Sequence, residues 1–530
     1  MVKKFSMLAL AGLIALPAVA SASAGKAPSD LNAKIEEMSR QLEALKAQMA
    51  QQNESISEYG DKVDDMSDML DEKSEAWDLA ARFKFYGDFR ARMDYYNSSG
   101  ADWANPMTGR TMSGPDFSND TMFTNRFRLN MRVKATENVE FKGRLAMYKV
   151  WGMESYARND QNTWWPQFDG NSTRTPSDNA LRVDRAFVNW NNIGGLPIWF
   201  SIGRRPTTDG PPSQLRQGLD SRMATPVAYM DYPFDGISMG YAYSWGSDAL
   251  GTGRIRICYG RGFEDGLQWD NAAYAPSMLG PVNIYPTDDT DFLGFSWDVF
   301  KKGSRFLNIQ SFMVMNMFNY PNFQDPIING MAPTKMGTNR TEGNIYHTSA
   351  VFMDKVAGLN YFIAGGWSRT DPGGHGMFND FAGMMAGRTG YNTDSEDGFS
   401  VYAGVRYDLP DVGLKFGAEY NWGSEYWIAF TPGHDDMYLS KLGTRGQVAE
   451  LYMVYDLPTG EAISKYAKTF IRLGYQHYWF DYTGVDWNVK PYDVDNPMEM
   501  TAAYGMALKS GSQLPVESAD QVYLSFDVYF

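Results

Sequence analysis

The last ten residues, Gln521 to Phe530, alternate without a break. Val522, Leu524, Phe526, Val528 and Phe530 share one parity; Gln521, Ser525 and Asp527, with two tyrosines, share the other. Period two is the strand period. It reaches back to the start of a long C-terminal region. Phe83, Phe85, Gly87, Phe89, Ala91 and Met93 alternate with Arg82, Lys84, Tyr86, Asp88, Arg90 and Arg92. Phe127, Leu129, Met131 and Val133 alternate with Arg126, Arg128, Asn130 and Arg132, and Phe141, Leu145 and Met147 with Glu140, Lys142 and Arg144. Charge on every second position of three successive strands is hard to reconcile with a soluble sandwich core, where charges are costly. Apolar-out, polar-in alternation is that of a closed sheet with oil outside and a wet lumen.

Strand-like runs follow near 181–190, 197–205, 234–245, 253–260, 290–300, 305–318, 343–354, 358–369, 398–408, 412–422, 445–456, 466–480 and 520–530. The fold class expected is an all-β transmembrane barrel of about 16 antiparallel strands, preceded by an N-terminal α-helical coiled coil. Connectors alternate between short turns, such as Thr136–Asn138, and long loops, such as 206–233. That pattern places the short turns in the periplasm and the long loops outside. Aromatic residues make up 15% of the chain although its mean hydropathy is −0.42, as girdled barrels with polar lumens require. Net charge is −15, which excludes nucleic acid as a partner class, and Cys258 is the sole cysteine, so no disulfide forms within the chain.

Residues 1–24 read as a secretory signal: Lys3 and Lys4, an apolar stretch to Ala20, and Ala22-Ser23-Ala24 at the cleavage position. Residues 25–81 form a second segment. Ile35, Leu42, Met49, Ile56, Val63 and Leu70 recur every seventh residue, and apolar residues between them complete a heptad seam. The barrel then spans 82–530. Phe530, an aromatic chain end, reads as the assembly signal of the closing strand.

Arg82, Arg90, Arg92, Arg126, Arg128, Arg132 and Arg144 fall on the inward parity and are expected to line the pore as a positive wall. The third long loop, 206–233, with Arg204 and Arg205 leading in, and Asp209, Arg216 and Asp220 within, is the expected constriction. Here the chain resembles the general diffusion porins of Gram-negative bacteria. The coiled-coil preface, Arg185-Ala186-Phe187-Val188-Asn189-Trp190 and Gly203-Arg204-Arg205-Pro206 resemble more closely a porin family of sulfate- and metal-reducing bacteria. The resemblance implies a sixteen-strand homotrimer in the cell outer membrane, surrounded by lipid and lipopolysaccharide, with the third loop folded inward and the coiled coil in the periplasm, in reach of peptidoglycan. It implies passive diffusion of small hydrophilic solutes and ions. The arginines lean that passage toward anions, although the mixed charge of the loop leaves the field's direction open.

No catalytic residue and no cofactor is expected. Asp288, Asp289 and Asp291 are candidate Ca²⁺ ligands in an outer loop, without the spacing of a known calcium loop. Two other function classes stay open. His347 and Ser349 share a strand face and resemble the His-x-Ser of an outer-membrane phospholipase, which lies on that barrel's exterior. A structural envelope tether, or a sheath around a cytochrome, would show no open channel.

Overall fold

The computed structural model describes residues 33–51, 62–63, 66, 69, 81–152, 171–174, 176, 178–220, 227–264, 288–319, 341–380, 390–431, 436, 440–460, 464, 467–510 and 514–530. Sixteen antiparallel strands close into one barrel: β1 (Phe83–Gly100), β2 (Phe117–Lys134), β3 (Val139–Val150), β4 (Arg182–Trp190), β5 (Ile198–Arg205), β6 (Phe234–Ser244), β7 (Thr252–Phe263), β8 (Thr290–Lys302), β9 (Arg305–Phe318), β10 (Thr341–Val356), β11 (Leu359–Pro372), β12 (Asp397–Leu409), β13 (Leu414–Gly423), β14 (Gly446–Asp456), β15 (Lys468–Phe480) and β16 (Val516–Tyr529). Every strand read from the alternation is present. A two-residue ribbon, Trp103–Ala104 with Thr111–Met112, lies in the first long loop. No helix among the described residues is long and apolar enough to cross a membrane, which says nothing of strands.

Closure joins β1 to β16, with Phe89 opposite Val528 and Arg90 opposite Asp527. Beyond the last strand residue, the Phe530 N–H donates to the Gly87 carbonyl (3.0 Å) and the Gly87 N–H to that of Phe530 (2.8 Å). A Cβ on Gly87 would stand 2.9 Å from the Phe530 ring, so the terminal aromatic packs over a position kept bare. Deleting Phe530 removes both bonds and the ring contact. Two backbone hydrogen bonds contribute about 1–3 kcal/mol together. The truncated barrel is expected to lose its folded gel mobility at a lower temperature than the full chain; an unchanged transition would show the end to be dispensable.

The two parities meet different surroundings. Outward Phe85 (60% exposed), Ile257 (63%), Ile363 (55%) and Leu451 (62%) form an apolar skin, while inward Asp88, Arg90, Arg92, Asp94, Gln521 and Ser525 are buried. The interior, however, is not a simple water column. Strands β8–β11 turn Phe292, Phe306, Val314, Ile345, Val351, Met353, Phe362 and Ala364 inward, where they pack against loop residues Tyr229, Met230, Trp427, Ile428 and Phe430. The expectation of uniformly polar inward positions therefore fails on this side of the barrel. The sequence carries a signal of it: 349–353 reads Ser-Ala-Val-Phe-Met, apolar on both parities, as in strands buried on both faces.

The N-terminal unit, residues 1–81, is compact separately from the barrel. Its described part is helical over 33–51, and Ile35, Leu42, Met49 and Val63 of the heptad seam are each more than half exposed. Ile56, Leu70 and the signal segment 1–24 lie outside the described residues.

Candidate functional site: the loop across the lumen

The loop that follows β5 carries charges of both signs, and the barrel wall meets each with its opposite. The first contact is Asp209. Its carboxylate accepts from Arg144 (2.9 Å), Arg185 (3.1 Å), Arg128 (3.4 Å) and Arg174 (3.4 Å). The Asp209 N–H donates to Asp231 (2.7 Å), across the neck of the same loop, and Asp231 also holds Arg174. Arg128 is shared with Asp88 (2.8 Å), which takes Arg126 as well (3.2 Å). Arg144 also binds Asp184. Burial pushes the Asp209 carboxyl up, but the guanidinium groups of Arg174, Arg128, Arg144 and Arg185 outweigh it and hold the pKa well below the usual carboxylate range.

Arg216 makes the second contact. It is 1% exposed and lies between Glu450 of β14 (2.8 Å) and Asp436 of the loop after β13. Lys441 joins Glu450 (2.6 Å) and Glu419, and Gln476 donates to Asp436 (2.8 Å) and Glu450 (3.0 Å). The Tyr523 hydroxyl donates to Glu450 (2.6 Å), and its ring underlies Arg92 (4.3 Å) and Arg472 (5.1 Å). The third contact is Asp220, which pairs with Arg406 (2.9 Å), Lys468 (3.2 Å) and Lys415 (3.4 Å). Burial raises its pKa, but these three cations outweigh that and bring it down to about 2. Between the charged contacts the loop pairs with a second inward loop: the Phe430 N–H donates to the Tyr229 carbonyl (2.9 Å) and the Asp231 N–H to that of Phe430 (2.7 Å).

The seven arginines expected on the pore wall divide. Arg90, Arg92, Arg126, Arg128 and Arg144 point inward on adjacent strands but are 6% exposed or less. They bind carboxylates and a tyrosine rather than facing open water: Arg92 holds Asp94 (2.6 Å) and Arg90 donates to the Tyr148 hydroxyl (3.0 Å). Arg132, its side chain 42% exposed, sits at the lower rim with Glu140. Arg82 precedes β1 and is exposed. Of the loop residues, Asp209, Arg216 and Asp220 make the three contacts above. Arg204 instead pairs with exposed Asp235 (3.7 Å), and Arg205 donates to the Ser201 hydroxyl (3.2 Å). Arg174, Arg185, Glu450 and Arg406 were not among the sequence candidates; only their inward parity or loop position hinted at them.

His347 and Ser349 do share a face, but it is the inner one. His347 is fully buried, stacked on Phe312 (4.8 Å between ring centres) and beside Trp427 (5.2 Å), with neither ring nitrogen hydrogen-bonded. The Ser349 hydroxyl accepts from Gln310 (2.9 Å). The expected exterior His-x-Ser site is thus corrected: the pair is out of reach of a lipid outside the barrel. Asp289 (2.6 Å) and Asp291 (2.9 Å) bind the Arg261 guanidinium, and Asp288 accepts from Thr341 (3.1 Å). Among the described residues no group of three or more His, Cys, Asp or Glu is arranged to hold a metal ion.

A family model described as a protein of unknown function (DUF3373) matches residues 116–530. No curated protein matches the chain. Among solved structures, the trimer form of OmpT, an outer membrane protein of Vibrio cholerae, is 11% identical, with 84% of this chain and 99% of that chain covered and a TM-score of 0.37. Salmonella typhi OmpF in complex with daunomycin is also 11% identical, with 84% and 97% covered and a TM-score of 0.40. The barrel described above rests on its own strand pairing.

Proposed function

The chain belongs to the DUF3373 family, and we propose that it is an outer-membrane porin whose passage for small hydrophilic solutes and ions is narrowed by residues 206–233. One observation carries the reading: a closed barrel with charged side chains within and an apolar skin without, crossed by a loop docked on charge. Such a barrel gives polar solutes a way past the hydrocarbon core, and the charges at its narrowest section set ion preference. No chemistry is asked of it, so the protein is read as a conduit and not as an enzyme. The guanidinium groups of the first wall (Arg90, Arg92, Arg126, Arg128, Arg144, Arg174 and Arg185) outnumber the carboxylates they meet (Asp88, Asp94, Asp184, Asp209 and Asp231), which keeps the lean toward anions. The exposed heptad face of the helix at 33–51 supports self-association, and a periplasmic three-stranded coil beneath a trimer is the assembly that fits it.

A second reading has its own support. The burial of the arginines and the packing of Tyr229, Trp427 and Phe430 in the lumen suit a barrel that rests closed, as a tether or sheath would. Planar-bilayer recording on the purified full chain separates the two. A steady conductance, with a reversal potential displaced toward anions across a KCl gradient, is expected. Silence at every voltage would remove the porin reading and leave the closed one.

A further inference from the structure

The outward face of β13–β16 changes chemistry along its length, and the strand register fixes where. One row across the four strands is Ala418, Leu451, Tyr475 and Val522. The next row toward the long loops is Tyr420, Ala449, His477 and Asp520. Trp422, Gln447 and Trp479 follow above it. No outward position of these four strands carries Lys or Arg. A groove of about 600 Å³, open outward and almost wholly apolar, lies on the first row; its size is that of small-molecule sites. It dips at Ala418, the smallest side chain of the row, which stands between Val405 and Leu451. Phe416 and Leu473, of the row below, also line it.

Tyr475 joins this groove to a polar cluster. Its ring lines the groove, and its hydroxyl donates to Asp520 Oδ1 (2.5 Å). His477 Nδ1 lies 2.6 Å from the same oxygen. Among the described residues no group bonds Asp520 Oδ2 or His477 Nε2. The Trp479 ring packs edge-on against His477 (4.1 Å between ring centres). An aromatic girdle accounts for the tyrosines and tryptophans here. It does not account for a carboxylate and an imidazole among them, since ionisable groups are costly on a lipid-facing surface. Three other outward aspartates are held by arginine: Asp235 by Arg204 (3.7 Å), Asp291 by Arg261 (2.9 Å) and Asp397 by Arg369 (2.8 Å). Asp520 has a histidine and a tyrosine instead, and keeps one oxygen open at the head of an apolar groove.

We propose that this face binds a glycolipid of the outer leaflet, an acyl chain lying in the groove over Ala418 and the sugar on Trp479, its hydroxyls donating to Asp520 Oδ2 and His477 Nε2. With its Nδ1–H given to Asp520, the imidazole presents the Nε2 lone pair as an acceptor. A sugar head supplies several neutral O–H donors to such acceptors, and its apolar face suits an aromatic ring. A phosphate head would find no cation on these strands and would meet Asp520 with like charge. The apolar groove removes acyl surface from its surroundings without asking for a polar partner. The inference goes beyond passage of hydrophilic solutes and rests on the membrane placement of the barrel.

The full chain in phosphatidylcholine liposomes would be photolysed with lipids that carry the same diazirine-labelled acyl chains on different heads: monoglucosyl diacylglycerol, phosphatidylglycerol and phosphatidylethanolamine. The glucolipid is expected to crosslink within 405–407, 416–418, 451–453 and 473–475. Its capture there should exceed that of either phospholipid about ten-fold, the effect of one charged hydrogen bond. Asp520→Ala should lower glucolipid capture to the phospholipid level. Ala418→Phe, which fills the groove, should remove the crosslinks at these positions. Should either variant fail to fold, unlabelled glucolipid is expected to compete with its labelled form on the unmodified protein, and phosphatidylglycerol is not. Equal capture of the three heads, preference for a phospholipid, glucolipid crosslinks confined to other strands, or equal competition by phosphatidylglycerol would each overturn the proposal. The result is independent of conductance: a silent barrel that captures the glucolipid loses the porin reading alone, and a conducting barrel without capture loses only this site.

Discussion

Asp209→Ala is expected to destabilise the barrel by about 3–5 kcal/mol, the usual cost of removing one partner from a buried ion cluster. The loss exceeds that of a single hydrogen bond because four guanidinium groups converge on this carboxylate. Without it, Arg144 and Arg128 retain Asp184 and Asp88, while Arg185 keeps the Thr208 hydroxyl (2.6 Å) and, of carboxylates, only a long contact to Asp184 (3.7 Å). The loop loses its main ionic anchor on this wall, retains there the Thr208 hydroxyl and Asp231 contacts, and keeps the anchors at Arg216 and Asp220. In a conducting barrel the variant should therefore show larger and noisier single-channel currents, along with unfolding at lower denaturant. Unchanged currents with lowered stability would mean that the loop does not set the passage.

The same carboxylate makes an acid-dependence test. Its folded pKa is depressed below its ordinary value of 3.8, so its contribution is complete above that value and is lost as pH falls through the folded pKa. Asp220 behaves alike, with its loss centred near pH 2, although at 63% side-chain exposure solvent screens its share. Stability should fall below about pH 4 in the unmodified chain and fall less steeply in Asp209→Ala. Parallel acid profiles would show that the pairing contributes nothing.

Trp427→Ala is the second large effect. The indole is fully buried, donates to the Leu442 carbonyl (2.7 Å) and packs edge-on against Tyr229 (5.2 Å). Phe/Trp→Ala changes in packed interiors cost about 3–5 kcal/mol through lost burial and the cavity left. The barrel wall makes room for this ring with a glycine: a Cβ on Gly366 would come within 2.2 Å of it. Gly366→Val should therefore mimic Trp427→Ala by evicting the indole, although it deletes nothing. If Trp427 plugs the lumen, both variants should raise conductance together, and denaturant midpoints should fall in both. A Gly366→Val barrel with native stability and native currents would show that the ring has another place to go.

The strands were legible because each lies between two environments that differ sharply, and a repeat of two residues records that difference locally. Phe85 and Arg90 need no knowledge of distant partners to show which way they point. The loop's electrostatics were not legible for the opposite reason. Asp209 meets Arg128 and Arg144, Arg216 meets Glu450, and Asp220 meets Arg406; these partners are far apart in the chain, and only closure of the barrel brings them together. The mixed charges of 206–233 looked contradictory as a list. They are consistent as a series of contacts with walls of alternating sign.

By itself the amino-acid order determined how many strands there are, which side chains face out, and that the barrel closes through its aromatic end, since all three follow from short-range alternation against two solvents. Only the tertiary structure decided that the inward arginines are buried against carboxylates and a tyrosine, and that aromatic loops fill one side of the lumen. Those outcomes depend on which groups arrive beside each other once the sheet has curled shut, and a buried charge is governed by its neighbours in space far more than by its neighbours in the chain.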